Sequence, residues 1–152
     1  MNNISPRYTT YILSCILFLS LGLLSGYLSG SGDTSWYAQL QKPSFNPPSW
    51  IFAPMWTVLY IIMGIVFVKI KSNRLLVGLF IFQFVLNLLW SFLFFHYHRV
   101  DLALIDISLM WASIFIFMTL TIKSPQIFWL FMPYFLWVSF AWVLNFKIFM
   151  LN

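Results

Sequence analysis

Charge is what this sequence most lacks. Of its 152 residues, 7% are charged and 62% are hydrophobic, whereas an ordinary soluble domain is about a quarter charged and about half apolar. Eight basic and three acidic side chains cannot coat a soluble particle of this size, so the uncovered surface must face lipid and no separate soluble domain is expected. Cysteine is almost absent too. Cys15 stands alone, which excludes an internal disulfide framework and a cysteine-rich zinc site, and it reads as apolar filler. With three carboxylates and two histidines, neither a catalytic triad nor a metal centre can be assembled by spacing. His96 and His98, beside Arg99, would diverge on a helix and lack the further ligands that a metal or a haem iron needs. The net charge of +5 comes from Lys and Arg scattered between apolar segments. They form no patch or arm, which argues against a nucleic-acid partner.

What is present is hydrophobic length. Five apolar runs reach the roughly 20 residues that a helix needs to cross a hydrocarbon core: Tyr8 to Leu28, Ser49 to Val68, Leu75 to Phe95, Leu102 to Ile122 and Gln126 to Phe146. The expected architecture is therefore an all-α, five-helix membrane bundle forming one domain over residues 1–152. The first run also admits reading as a signal peptide, because Arg7 precedes it and Ser29, Gly30, Ser31 and Gly32 follow it. Its length exceeds the 7 to 15 residues or so of a signal core, which favours a retained helix. Arg7, Lys69, Lys71, Arg74 and Lys123 fall on the N-terminal side of the membrane, against Lys42, Arg99 and Lys147 on the other. That balance places the N terminus in the cytoplasm.

The connector from Ser29 to Pro48 differs from the others. It is long, glycine-rich at its start and proline-rich at its end, and it carries Trp36, Tyr37, Leu40 and Phe45. Such bulk is costly to leave in water, so the segment is expected to fold down as a lid over one end of the bundle. Pro47 and Pro48 then lead into the second long helix.

Eight tryptophans are many for this length. Trp129, with Tyr8 and Tyr11, suits anchoring at the headgroups. Trp56, Trp90, Trp137 and Trp142 lie deeper; they either line an aromatic pocket or pack the bundle. Gln83, Asn87, Trp90 and Ser91 share one face of the third long helix, and a polar stripe inside lipid must point inward, toward neighbouring helices or a ligand. Asn145 is one available partner. Asp106, about one turn inside the fourth long helix, reads as a structural group near the helix start or as part of a proton relay. Gly22, Gly26 and Gly30 form a small-residue ridge for close helix contact, within the bundle or between subunits. Pro133 breaks the fifth long helix beside Tyr134 and Trp137, where a bend would open space.

The stretch from Trp36 through Lys42, Pro43, Phe45, Asn46, Pro47 and Trp50, continuing with Phe52, Pro54, Trp56, Thr57, Leu59, Tyr60, Met63 and Gly64, resembles the signature of the translocator protein family. Members are also called tryptophan-rich sensory proteins or peripheral-type benzodiazepine receptors. Gln83, Asn87 and Trp90, then Ala103 to Asp106, then Pro133, Tyr134, Trp137, Phe140, Ala141, Leu144 and Asn145 extend the match over nearly the whole chain. The resemblance implies a five-helix bundle, often a homodimer, that binds porphyrins such as protoporphyrin IX or haem and requires no other cofactor. Carried over, the ligand site comprises Trp56, Tyr60, Gln83, Asn87, Trp90, Tyr134, Trp137, Ala141, Leu144 and Asn145, with Trp36 and Trp50 shaping the lid.

The functions implied are sensing, sequestering or moving tetrapyrroles. One alternative is light-dependent oxidative degradation of protoporphyrin IX with Trp56 and Trp137 as catalytic residues, and another is transport of a tetrapyrrole or other small molecule. Carriers usually show internal repeats and paired broken helices, which this sequence lacks. Two departures narrow the transfer. Asn145 is followed by Phe146 and Lys147 where the animal cholesterol motif has Tyr and a basic residue, so cholesterol binding is not expected. Leu102 stands where some members carry a pocket tryptophan. The absence of animal-type features, with the asymmetry of basic residues, points to a bacterial cell membrane.

Overall fold

The computed structural model describes residues 6–33 and 35–152, with side chains from Tyr8 onward; Arg7, counted above in the charge balance, lies outside the described side chains. The elements are α1 (Pro6–Leu28), the short α2 (Ser35–Gln39), α3 (Phe52–Ile70), α4 (Arg74–Ser91), α5 (Val100–Thr121) and α6 (Pro125–Leu151). A 3-10 turn, Ser49–Ile51, leads into α3, and a wide π turn, Phe92–His96, ends α4. Among the described residues five helices, all but α2, are long and apolar enough to cross a membrane.

Most helix ends fall within two residues of their expected places, because hydrocarbon thickness sets them. Asn73 caps α4, its Oδ1 accepting from the Leu75 and Leu76 amides at 3.1 and 3.2 Å, which satisfies two of the donors orphaned at a helix start. Pro125 opens α6, where its missing N–H does no harm. The largest departure is the end of α6. It runs on to Leu151, past the expected stop at Phe146, because Lys147 is exposed while Ile148 is buried against the loop side of the bundle. A lysine on the outer face can snorkel without ending the helix.

The helices close into a ring in the order α1, α3, α6, α5, α4, with α1 seated against both α3 and α4. Lipid is as apolar as these side chains, so close packing and hydrogen bonds must hold the ring together. At the α1–α3 seam a Cβ on Gly64 would lie 2.5 Å from Cys15 Cα. Bare backbone here lets Ser14 Oγ donate to the Gly64 carbonyl at 2.8 Å. The Gly22 ridge position also works within the bundle, its bare face covered by the Tyr60 ring, whereas a Cβ on Gly30 would meet nothing. Ser25 ties α1 to α4, donating to the Leu88 carbonyl at 3.0 Å. Two tryptophan–serine bonds join α5 to α6: Trp111 Nε1 to Ser139 Oγ at 2.9 Å and Trp142 Nε1 to Ser108 Oγ at 2.8 Å.

The interior has two unlike halves. Phe80 packs against Phe18, Phe67, Phe117 and Phe131, filling the half away from the long connector. The half nearer the connector holds Gln83, Asn87, Tyr60, Tyr134 and Asp106, all buried. Pro133 sits on the exposed face of an α6 that continues through it. The space expected beside this proline therefore lies elsewhere, along the inward Val138 and Ala141 face.

Candidate functional site

Helical spacing brings the polar stripe of α4 to the centre of the bundle. Tyr60 of α3 donates its hydroxyl to Asn87 Oδ1 at 3.0 Å. Asn87 Nδ2 donates to the Tyr134 hydroxyl at 3.4 Å, and Tyr134 donates to Gln83 Oε1 at 2.6 Å. Four buried side chains thus form one chain of hydrogen bonds across α3, α4 and α6, which lets polar groups persist in an apolar interior. Trp56 covers the chain, stacked on Tyr60 with ring centroids 5.7 Å apart and edge-on to Tyr134 at 6.5 Å.

Beside this network lies an apolar void lined by Trp56, Asn87, Trp90, Ile107, Met110, Val138 and Ala141. The space open to the centre of a water molecule is about 10 Å³, room for one water. Trp90 leads from the void outward. Its ring stacks on Phe94 at 5.0 Å, and Phe94 meets Trp36 of the connector edge-on at 5.5 Å. Trp36 in turn lies flat on His98, centroids 4.3 Å apart and planes 13° from parallel.

The connector is built to lie across this end. The Asp33 carboxylate accepts from the Ser35 amide at 2.9 Å at the start of α2, and this bond holds its carboxyl below the usual carboxylate range. Trp36, Tyr37 and Leu40 then pack against the buried cluster of Phe94, Ala103, Leu144 and Ile148. The Tyr37 hydroxyl donates to Asn46 Oδ1 at 2.7 Å, and burial pushes that phenol up. Gln41 and Asn152 exchange two hydrogen bonds, of 2.9 and 3.0 Å, between the connector and the end of α6.

The residues singled out from the sequence fall into four places. Trp56, Asn87, Trp90 and Ala141 line the void, and Tyr60, Gln83 and Tyr134 belong to the hydrogen-bonded chain with Asn87. Asn145 accepts from Trp90 Nε1 at 2.9 Å, while Leu144 and Trp36 belong to the cluster beneath the connector. Trp137 packs between Phe52 and Phe140, its indole N–H buried and without a hydrogen-bond partner among the described residues. Trp50 is 72% exposed and stacks on no ring among the described residues, so it stands apart from the void. Sequence reasoning missed Ile107, Met110 and Val138 in the lining; their helical spacing from Asp106 and Ala141 was the available signal. It also missed His98 as the platform under Trp36.

At the opposite end, Tyr11, Val68, Lys69 and residues 124–127 border an open groove. It is lined mainly by exposed residues at helix ends and, among the described residues, has neither stacked rings nor buried polar atoms to fix a ligand.

Five apolar helices around an interior of aromatic rings and amides, with a void of water size beside them, define a multi-pass integral membrane protein. The TspO/MBR family model matches residues 14–151, and the chain belongs to that family. It is 43% identical to the tryptophan-rich protein TspO of Chlorobaculum tepidum, over 93% of this chain and 97% of the relative. It is 34% identical to protein CrtK of Rhodobacter capsulatus, over 78% and 79% of the two chains. It is 36% identical to the translocator protein of Bos taurus, over 86% of this chain and 83% of the relative.

Proposed function

We propose that the chain binds porphyrins or similar flat, hydrophobic tetrapyrroles, such as protoporphyrin IX or haem, at the void between α3, α4, α5 and α6, and senses, sequesters or moves them. The observation that carries this reading is the convergence of Trp56, Asn87 and Trp90 from two helices on one space, backed by the buried chain of Tyr60, Asn87, Tyr134 and Gln83. Indoles stack on a flat macrocycle, and amides serve its polar edge. Drug-sized ligands occupy roughly 300 to 1,000 Å³, so the void must widen, with Trp56 and Trp90 turning and the connector lifting as a lid. The basic residues Lys69, Lys71, Arg74 and Lys123 at the far end favour a cytoplasmic N terminus, which puts the connector on the other side of the membrane.

Titrating the purified protein with protoporphyrin IX and following tryptophan fluorescence tests this reading. Saturable quenching is expected, with Trp137→Ala or Trp56→Ala weakening binding by about 1 to 3 kcal/mol. A dissociation constant unmoved by either change would place the ligand elsewhere.

A second reading is light-dependent oxidation of the bound porphyrin, favoured by the contacts of Trp56 with Tyr60 and Tyr134. The oxidant is dissolved dioxygen. The photoexcited ring takes an electron from an indole at the ligand face and passes it to dioxygen. The indole radical recovers its electron from the macrocycle, and the superoxide adds to the oxidised ring. Illumination of the complex should then bleach porphyrin absorbance in the wild type and not in Trp56→Phe or Trp137→Phe; equal bleaching in all three would remove this reading and leave binding.

A further inference from the structure

Asp106 takes no part in the hydrogen-bonded chain. It is 4% exposed, yet neither carboxyl oxygen has a partner among the described residues. A structural role near the helix start would have it meet water or the free amides of the first turn; among the described residues it does neither. It precedes Ile107 directly and lies one helical turn before Met110, and both of these line the void. Met110 Sδ meets the Tyr134 hydroxyl at 3.5 Å, so this face of α5 adjoins the polar network. No described Lys or Arg is buried, and among the described residues none forms an ion pair with this carboxyl. Among the described residues the other buried side-chain polar atoms without a hydrogen-bond partner are Gln83 Nε2 and the Trp137 indole nitrogen, both donors. A carboxyl shut away from water without a donor is unfavourable, and ionisable groups at membrane depth face the interior and are usually paired.

Asp106 is not itself among the lining side chains but adjoins Ile107 and Met110, which are. We propose that it becomes reachable as the void widens and determines specificity there, accepting a hydrogen bond from an N–H or protonated nitrogen of the bound molecule. The site then selects flat apolar ligands that carry such a nitrogen over hydrocarbons of the same shape. This inference rests on the reading of the void as a ligand site and deepens it. The rings of Trp56 and Trp90 attract any planar body, and the carboxyl adds a preference that stacking cannot supply.

The test uses two probes of one shape, anthracene and 9-aminoacridine, the second a cation with N–H donors. Both are titrated against the full chain in uncharged detergent, with tryptophan quenching as the readout, and protoporphyrin IX is titrated in parallel. Wild type should bind 9-aminoacridine about ten-fold more tightly than anthracene, the ratio expected from one charge-assisted hydrogen bond. Asp106→Asn should cut that preference to about two-fold or less while leaving anthracene affinity unchanged. A preference that survives in Asp106→Asn overturns the proposal. So does its absence from the wild type, a comparison that needs no variant to fold. If protoporphyrin IX binds and the preference is absent, the role of Asp106 falls alone; if no aromatic probe binds, the ligand-site reading falls and takes it along.

Discussion

The indole N–H of Trp90 donates to Asn145 Oδ1 at 2.9 Å, and Asn145 Nδ2 in turn donates to the Val100 carbonyl at 3.1 Å. One amide therefore ties the end of α4, the end of α6 and the start of α5 together at the connector side of the void. Asn145→Leu should lower stability by about 1 to 2 kcal/mol, the upper part of the range for interhelical bonds in membranes. Trp90→Phe on top of it should add less than its separate effect, because the two share the bond. Thermal unfolding in detergent measures both, and strict additivity would show that the bond does not couple the helices.

Tyr134 stands at the centre of the polar chain and Tyr60 at its end. Tyr134→Phe strips a partner from both Asn87 Nδ2 and Gln83 Oε1, whereas Tyr60→Phe strips only one from Asn87. The first should cost about 1 to 3 kcal/mol and the second distinctly less. Equal losses would mean that the network is not organised around Tyr134.

Gly64 and Gly78 make a controlled pair. A Cβ on Gly64 would collide with the α1 backbone, while a Cβ on Gly78 meets nothing within 4 Å. Gly64→Ala should part α1 from α3 and destabilise the protein by about 1 to 3 kcal/mol. Gly78→Ala should be neutral, or stabilising by up to about 1 kcal/mol through helix propensity. The reverse order would refute the close approach.

Asp33 carries the pH dependence of the connector. Its carboxyl is held below the ordinary carboxylate value of 3.8, chiefly by the Ser35 amide. A depressed carboxyl contributes above its unfolded value, and that contribution is lost as pH falls through the folded one. Amide-exchange protection factors across residues 35–39 should therefore stay level from neutral pH to about 4 and drop below it, and Asp33→Asn should show reduced protection at neutral pH. Protection unchanged in the variant would remove Asp33 as the organiser of α2.

Much of this architecture was written in the order of residues. Spans of apolar length fixed most of the helix ends to within a residue or two, and the stripe of Gln83, Asn87 and Trp90 pointed inward because lipid leaves a polar face no alternative. The end of α6 was misjudged because Lys147 looks like a boundary in one dimension, while its meaning depends on Ile148 being covered from another part of the chain. Gly64 shows no ridge spacing, so its role emerges only when α1 lies against it. Likewise the tryptophan–serine ties of α5 and α6 join residues 28 and 34 positions apart, with no local pattern to announce them. The isolation of Asp106 was invisible for the same reason: absence of a partner is a property of every surrounding helix at once.

The ring contacts running from His98 through Trp36 and Phe94 to Trp90 give the molecule an optical handle. Closely spaced aromatic chromophores held in fixed, chiral orientation couple to one another and produce near-ultraviolet circular dichroism. Any event that lifts the connector breaks that array at Trp36, so ligand entry would be visible spectroscopically without attaching a label.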